Sequence, residues 1–256
     1  GRELLQDLQA RLQCWSYSLE RTAIAPTSAK HIQLIKVTRS RKIEKLLLAT
    51  PDGDVDIKTA LIGDFNSQNL MAALAALMAL GIDAKSAAAV LSQSPGVAGR
   101  MQRVEFMADD EPVIIVDYAH TPESLQRILA TLRGITTGRL ICVFGCGGDR
   151  DSSKRGPMGR AVEQGADWAI ITSDNPRGEK NQDIAADILQ GVRNPQAVDL
   201  IHDRGDAIRL AISAAKFGDT VLIAGKGHEV FQDVAGVRHA FSDIEVASRA
   251  LRERQT

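Results

Sequence analysis

The stretch Trp168-Ala169-Ile170-Ile171-Thr172-Ser173-Asp174-Asn175-Pro176-Arg177 runs from an apolar segment into a polar one. The apolar part has the length and the β-branched content of a buried strand. Pro176 cannot extend a strand ladder, and it biases Asn175 away from helical dihedral angles, so the chain must turn there. We therefore predict a loop at the carboxyl end of a parallel strand, which is where open α/β sheets bind ligands.

This loop, residues 174–177, has two interpretations. It presents a carboxylate, an amide and a guanidinium, which together suit a charged small molecule. It also fits an Asx turn at the start of a helix, with Arg177 in solvent. The loop alone does not decide between them, and the other strand ends of the chain favour a ligand pocket.

Apolar runs alternate with helical segments along the chain beyond residue 100. This alternation predicts a doubly wound, mostly parallel sheet of the α/β class with helices on both faces. The predicted strands are 103–107, 112–117, 140–144, 168–172, 197–201 and 220–224. The predicted helices are 122–132, 157–165, 183–191, 206–217 and 242–252. A terminal hairpin is predicted from 230–234 and 237–241, joined through Gly236.

The first part of the chain has a different pattern. Leucines at helical spacing predict a helix over residues 4–12, and short strands at 32–37, 45–50 and 55–62 predict an antiparallel meander. A helix over 70–80 follows, with Asn66 as its N-cap, Asn69 in its first turn and Gly81 at its end. A second helix covers 83–91. The Pro- and Gly-rich segment 94–99 then predicts a boundary between a domain of residues 1–95 and one of residues 96–256.

The composition indicates a soluble globular protein. The chain has 256 residues, of which 44% are hydrophobic and 25% charged, with a net charge of -1. This charge argues against a general nucleic-acid binder or a polybasic membrane binder, and no apolar run is long enough to span a bilayer. Cys14, Cys142 and Cys146 are scattered, which suits a reducing cytoplasm rather than disulfides or zinc. Because the chain starts at Gly1 rather than Met, we expect it to be part of a longer protein.

Three further strand ends carry polar residues. The strand at 112–117 leads into Asp117, Tyr118 and His120, with Thr121 and Pro122 suited to start the next helix. The strand at 140–144 leads into a loop with three glycines and the cations Arg150, Lys154 and Arg155, which suits an anion. The strand at 220–224 leads into Gly225-Lys226-Gly227-His228-Glu229, which we expect to be an exposed polar loop.

Taken together, these segments resemble the C-terminal half of the Mur ligases. The matching segments follow the family's order: Gly63-Asp64-Phe65-Asn66-Ser67-Gln68-Asn69, Gly99-Arg100-Met101, Asp117-Tyr118-Ala119-His120-Thr121-Pro122, Phe144-Gly145-Cys146-Gly147-Gly148-Asp149-Arg150-Asp151, Asp174-Asn175-Pro176-Arg177 and Ala224-Gly225-Lys226-Gly227-His228-Glu229. The resemblance implies the end of a central ATPase domain followed by a C-terminal Rossmann-like domain. It also implies that the phosphate-binding loop, the carbamylated lysine and most magnesium ligands lie upstream of this chain.

Within the family, the segments are most similar to the members that add meso-diaminopimelate to UDP-MurNAc-L-Ala-D-Glu in peptidoglycan synthesis, using ATP and Mg²⁺ through an acyl phosphate. The resemblance implies a monomer in the cytoplasm. It assigns ATP binding to Asn66, Asn69, Arg100, Asp117, Tyr118 and His120. It assigns binding of meso-diaminopimelate to Arg150, Asp174, Asn175, Arg177, Gly225 and Glu229. It provides neither a catalytic residue nor a metal ligand within this chain.

Other functions remain open on the sequence. An arginine at position 177 favours diaminopimelate over lysine, because a guanidinium can clamp a distal carboxylate, but a lysine-adding Mur ligase is an alternative. A module that binds an amino acid or a nucleotide without catalysis is another, because the chain has no G-x-x-x-x-G-K-[ST] motif. A nicotinamide-dependent oxidoreductase built on the Gly145 loop is the weakest alternative, because the spacing of the glycines in that loop departs from G-x-G-x-x-G.

Overall fold

The structure is a computed structural model that describes residues 12–20, 29–40, 43–104 and 111–254. It divides into two compact units, Gly1–Pro95 and Gly96–Thr256. Except for its last residue, the helix predicted over 4–12 lies outside the described residues, as do residues 105–107 of the strand predicted over 103–107. Among the helices that the structure describes, none is both long and apolar enough to cross a bilayer.

The first unit is a sheet covered by two helices. Its strands lie in the order β1 (Cys14–Ser18), β2 (Ala29–Arg39), β3 (Glu44–Thr50) and β4 (Gly53–Thr59), and its helices are α1 (Asp64–Ala79) and α2 (Ala84–Leu91). Strands β2, β3 and β4 pair antiparallel, so the predicted meander is confirmed. Strand β1 pairs parallel to β2 and was not predicted. Alternate residues such as Leu46 and Ile57 are fully buried and share a core with Met71 and Leu74 of α1.

The start of α1 differs from the prediction that Asn66 is the N-cap. The capping position is Gly63, with a φ of 100°, and no side chain caps the helix locally. Instead the buried carboxylate of Glu44, on β3, accepts a hydrogen bond from the Gly63 backbone N–H at 2.8 Å. Asn66 lies within the first turn and donates to the carbonyl of Ile62 at 2.9 Å. Asn69 lies in the second turn rather than the first, and it is exposed.

The second unit is built on a mostly parallel sheet. Its strand order is β5 (Gln102–Arg103), β6 (Val113–Asp117), β10 (Thr220–Ala224), β7 (Leu140–Phe144), β8 (Trp168–Ile171) and β9 (Val198–Leu200). Strand β5 pairs antiparallel at one edge, and the remaining neighbours pair parallel. A separate hairpin is formed by β11 (Phe231–Val234) and β12 (Val237–Ala240). The predicted α/β fold is therefore confirmed.

Helices cover this sheet on both faces. They are α3 (Pro122–Arg133), α4 (Arg155–Gly165), α5 (Asn181–Leu189), α6 (Arg204–Ala214) and α7 (Asp243–Glu253). Helices α6 and α7 share one core with alternate residues of the central strands, such as Val143 and Ile223. Helices α3, α4 and α5 pack side by side, and α3 and α4 contact β7, β8 and β10. Short 3₁₀ turns, Ser152–Lys154 and Pro195–Ala197, precede α4 and β9.

The start of α3 was predictable because the residues that fix it are close together in the sequence. The Thr121 side chain accepts a hydrogen bond from the Ser124 backbone N–H, and the Ser124 side chain accepts one from Thr121 in return. Pro122 occupies the first helical position, where its missing N–H has no cost. The predicted cap is therefore confirmed.

Candidate functional site

The carboxyl ends of β6, β7, β8 and β10 lie side by side, so the loops that follow them meet at one edge of the sheet. They enclose a cavity of about 260 Å³. Every side chain or backbone position predicted to bind the amino acid lies on its wall: Arg150, Asp174, Asn175, Arg177, Gly225 and Glu229. Two residues predicted to face ATP, Tyr118 and His120, also contribute to the wall. The fold thus brings the polar residues that follow these strands together around one cavity.

The 174–177 loop is fixed by the hairpin that follows it in the chain. Arg177 has a φ of 50° and forms a bridge with Val234. Its backbone N–H donates to the carbonyl of Asp233 at 3.0 Å, and its own carbonyl accepts from Ala235 at 2.7 Å. The guanidinium Nη1 donates to the carbonyl of Gly148 at 2.8 Å. The alternative of a solvated Arg177 is wrong, because this side chain is half-buried and turned toward the cavity wall.

A network of short hydrogen bonds joins the loops after β8 and β10. The ammonium of Lys226 donates to Oδ1 of Asn175 at 2.8 Å and to Oε2 of Glu229 at 3.0 Å. The Asn175 amide nitrogen donates to Glu229 Oε2 at 2.8 Å. Burial of Glu229 opposes ionisation, but these hydrogen bonds and the charges of Lys226 and Arg177 lower its pKa below the ordinary value. The cavity therefore holds an ionised carboxylate at neutral pH.

Glycines allow the loops to pack this closely. A Cβ on Gly145 would lie 2.2 Å from the carbonyl oxygen of Thr172, and one on Gly148 would lie 2.0 Å from that of Pro176. Gly225 has a φ of +117°, and a Cβ there would lie 2.6 Å from Oδ2 of Asp174. The sequence offered close approach to a ligand or a positive φ as reasons for the glycines at 145–148. The expectation of a positive φ is wrong, because Gly145, Gly147 and Gly148 all lie outside the positive-φ region. The structure shows instead tight packing of the β7 loop against the β8 loop.

The residues predicted to bind the nucleotide fall into separate groups. Arg100 lies over the Tyr118 ring at 4.7 Å, and the Tyr118 and His120 rings meet edge to face at 4.6 Å. Asp117 is buried, and its carboxylate accepts from the backbone N–H groups of Met101 and Ala119, both at 2.7 Å. Burial raises the pKa of Asp117 despite these hydrogen bonds. Asn66 and Asn69 belong to α1 of the first unit.

Several wall and support residues were not assigned to the amino-acid site, although Gly145, Gly147 and Lys154 lie in the loop that was predicted to suit an anion. The additional wall residues are Gly145, Cys146, Gly147, Lys154 and Met158. The Cys146 sulfur lies 3.5 Å from that of Met158, and burial raises the pKa of the thiol to about 12, so it is uncharged at neutral pH. Cys146 therefore contributes a small apolar surface rather than a nucleophile.

Two buried arginines, Arg155 and Arg204, stabilise the loops that form the cavity. The prediction that Arg155 offers free positive charge to an anion is wrong, because Arg155 is buried and paired with Glu179 and Asp187 at 2.8 and 2.9 Å. Arg204 is fully buried against Asp243 and donates to the carbonyls of Ser173 and Ala224. Arg204 therefore ties the ends of β8 and β10 together. Arg204 lies two positions before the helix predicted over 206–217, and its local sequence gave no signal of this role.

A family model described as Mur ligase, glutamate ligase domain, matches residues 99–227. The chain is 50% identical over 209 residues to UDP-N-acetylmuramoyl-L-alanyl-D-glutamate--2,6-diaminopimelate ligase of Chromobacterium violaceum, an alignment that covers 81% of this chain and 42% of that protein. It is 47% identical to the ligase of the same name from Trichormus variabilis, over 100% of this chain and 50% of the relative. The chain thus spans about half the length of these relatives.

A solved structure titled as UDP-N-acetylmuramoyl-L-alanyl-D-glutamate--2,6-diaminopimelate ligase has the same fold. It superposes with a TM-score of 0.70 at 38% sequence identity, covering 94% of this chain and 48% of the other. Both units of the present chain therefore have counterparts in a longer known protein.

Proposed function

The chain belongs to the Mur ligase family, and from that premise we propose that the complete protein is the ligase that joins meso-diaminopimelate to UDP-MurNAc-L-Ala-D-Glu at the expense of ATP. In this reaction, ATP phosphorylates the γ-carboxylate of D-glutamate, and the amine of diaminopimelate attacks the acyl phosphate. The tetrahedral intermediate then collapses to an amide and phosphate. We propose residues 1–95 as the end of the ATPase domain and residues 96–256 as the domain that supplies the amino acid.

One observation supports this proposal most strongly: the cavity combines cations and carboxylates on one small wall. Arg150, Lys154 and Arg177 contribute positive charge, while Asp174 and Glu229 contribute negative charge. Meso-diaminopimelate carries a carboxylate and an ammonium group at each of its two ends. A wall of mixed charge therefore suits it better than it suits a nucleotide phosphate, which needs cations and N–H donors alone.

The distal end of the amino acid distinguishes diaminopimelate from lysine. Lysine has an ammonium there but no carboxylate. In our proposal, the Arg177 guanidinium receives the distal carboxylate, and Asp174 and Glu229 accept hydrogen bonds from ammonium groups. A lysine complex would leave the half-buried guanidinium without its anion, which costs binding free energy.

ATP binding is proposed for Arg100, Asp117, Tyr118 and His120 of the second unit and for Asn66 and Asn69 of the first. Two backbone N–H groups already donate to the Asp117 carboxylate. Only its remaining oxygen lone pairs could therefore accept hydrogen bonds from ribose hydroxyls. Among the described residues, no group of three His, Cys, Asp or Glu side chains could hold a metal ion. Mg²⁺ would supply charge neutralisation at the phosphates. We further propose that the complete protein is a cytoplasmic monomer.

The decisive experiment measures phosphate release by the full-length protein with ATP, UDP-MurNAc-L-Ala-D-Glu and either meso-diaminopimelate or lysine. We expect kcat/KM for diaminopimelate to exceed that for lysine by about 100-fold or more, because the half-buried Arg177 guanidinium loses its partner with lysine. Preference for lysine would identify the lysine-adding alternative. Saturable binding of diaminopimelate without phosphate release would identify a binding module and overturn the proposed reaction.

A further inference from the structure

Lys226 contacts Asn175 and Glu229 of the cavity wall, and the proposed function gives it no role. Its side chain is 0% exposed, although it lies in a glycine-rich loop that the sequence predicts to be exposed and polar. The ammonium is 5.7 Å from the centre of the Phe231 ring, on the hairpin that backs the cavity. A side chain buried to this degree cannot touch a ligand in the cavity. Lys226 must therefore act through its neighbours.

One neighbour is the amide of Asn175. An ammonium is only a donor, so it requires the amide oxygen rather than the amide nitrogen to face it. The Asp233 backbone N–H donates to the same oxygen at 3.0 Å. These two donors fix the orientation of the amide and turn its nitrogen toward Glu229 and the cavity. Of the two N–H groups on that nitrogen, one donates to Glu229; among the described residues the other has no acceptor, so it is available to a ligand carboxylate.

The other neighbour is the carboxylate of Glu229. Its Oε2 accepts from both Lys226 and Asn175. Within the described part of the chain, Oε1 of Glu229 accepts no hydrogen bond, and Glu229 lies on the cavity wall. An acceptor at this position suits an ammonium group. The network thus presents one donor and one acceptor side by side, which is the pattern that an α-amino acid group requires.

We propose that Lys226 is a positioning residue for recognition of the incoming amino acid. It orients the Asn175 amide as a donor toward a ligand carboxylate and holds the Glu229 carboxylate as an acceptor for a ligand ammonium. This inference deepens the proposed function and rests on it. A lysine that served only to stabilise the fold would affect both substrates of the full-length enzyme alike. A positioning lysine affects the amino acid alone.

The test compares Lys226→Met with wild type in the full-length protein, with Lys216→Met as the matched control at an exposed lysine of the same unit. Methionine keeps the length of the side chain and removes the donor. We expect the KM for meso-diaminopimelate to rise about 10- to 100-fold, the range for a lost hydrogen bond to a charged group. The KM for ATP should change by less than about 2-fold, and the control should match wild type.

Lys226→Gln provides a second variant in case Lys226→Met does not fold, as judged by circular dichroism. Glutamine retains one neutral donor toward Asn175 and lacks the charge beside Glu229, so we expect a KM increase of about 10-fold for diaminopimelate. Equal increases in both KM values, or no increase in either, with a folded variant would overturn the positioning role. Failure of the wild-type protein to use diaminopimelate would instead overturn the proposed function, so the two failures are distinguishable.

Discussion

Two groups of side chains at the same sheet edge are built in opposite ways. The amino-acid cluster, consisting of Asp174, Asn175, Arg177, Lys226 and Glu229, is cross-linked by hydrogen bonds and backed by the 231–240 hairpin. The Tyr118 cluster, consisting of Arg100, Asp117, Tyr118 and His120, is held by ring contacts and has exposed side chains at Arg100 and His120.

The difference indicates how strongly each cluster would discriminate among ligands under the proposed assignment. In the amino-acid cluster, donors and acceptors are fixed before a ligand arrives, so little ordering entropy is lost on binding and a ligand with the wrong charge pattern leaves polar groups unpaired. In the Tyr118 cluster, the single buried carboxylate already serves the backbone, and the exposed groups can adjust. We therefore expect substitutions in the first cluster to have large effects on the amino acid, and those in the second to have smaller effects on ATP.

The largest effect is expected from Arg177→Ala in the full-length protein. It removes the guanidinium that we assign to the distal carboxylate, and with it the hydrogen bond to the Gly148 carbonyl. The KM for meso-diaminopimelate should rise about 100-fold, while the KM for ATP stays within about 2-fold. Steady-state phosphate release with each substrate varied in turn measures both values.

Arg193→Ala, at an exposed arginine of the same unit, is the control for Arg177→Ala and should behave as wild type. An unchanged KM for diaminopimelate in Arg177→Ala would remove this residue from the amino-acid cluster. Arg177→Lys should restore only part of the affinity, because an ammonium cannot bind a carboxylate through two parallel hydrogen bonds.

An intermediate effect is expected from Gly225→Ala, which disturbs the cluster without removing any polar group. The new methyl group would lie 2.6 Å from Oδ2 of Asp174, so this carboxylate must move. We expect the KM for meso-diaminopimelate to rise about 10-fold, from the displaced acceptor together with strain at a positive φ.

Gly236→Ala separates the effect of backbone strain on the KM from the effect of displacing the Asp174 carboxylate. Gly236 also has a positive φ, +80°, but a Cβ there would meet no atom of the described residues within 4 Å. Both variants should lose comparable stability in thermal unfolding, since both place a side chain in the left-handed region. If Gly236→Ala raised the KM for diaminopimelate as much as Gly225→Ala does, backbone strain rather than the position of Asp174 would control binding.

The two clusters also differ in how far the sequence predicts them. Short-range patterns predict the strands, the Thr121 cap and the placement of Asp174 and Arg177 at a strand end, because the deciding residues are close in the chain. Burial of Lys226 depends on Asn175, 51 positions away, and burial of Arg204 depends on Asp243, 39 positions away. A charged residue in a loop normally indicates exposure, so no local signal predicts that these two are buried.

The first unit shows the same limit. The prediction that Asn66 caps α1 is reasonable from local sequence, but Glu44, 19 positions before Gly63, supplies the acceptor from another strand. Strand β1 was not predicted, although Trp15 and Tyr17 alternate with serines, because five residues alone are a weak strand signal; its order comes from parallel pairing with β2. Tertiary contacts therefore decide the features that the pattern leaves open.

The smallest effect, and the sharpest test of the contrast, is expected from Arg100→Ala in the Tyr118 cluster. This exposed side chain contributes a cation over the Tyr118 ring, an interaction worth about 0.5–1 kcal/mol at such a site. Loss of that contact and of one adjustable cation should raise the KM for ATP about 3- to 5-fold and leave the KM for meso-diaminopimelate unchanged. Arg127→Ala, which changes an exposed arginine on α3, is the control and should match wild type. A larger effect on diaminopimelate than on ATP would mean that the two clusters form one site, because Tyr118 and His120 also line the amino-acid cavity.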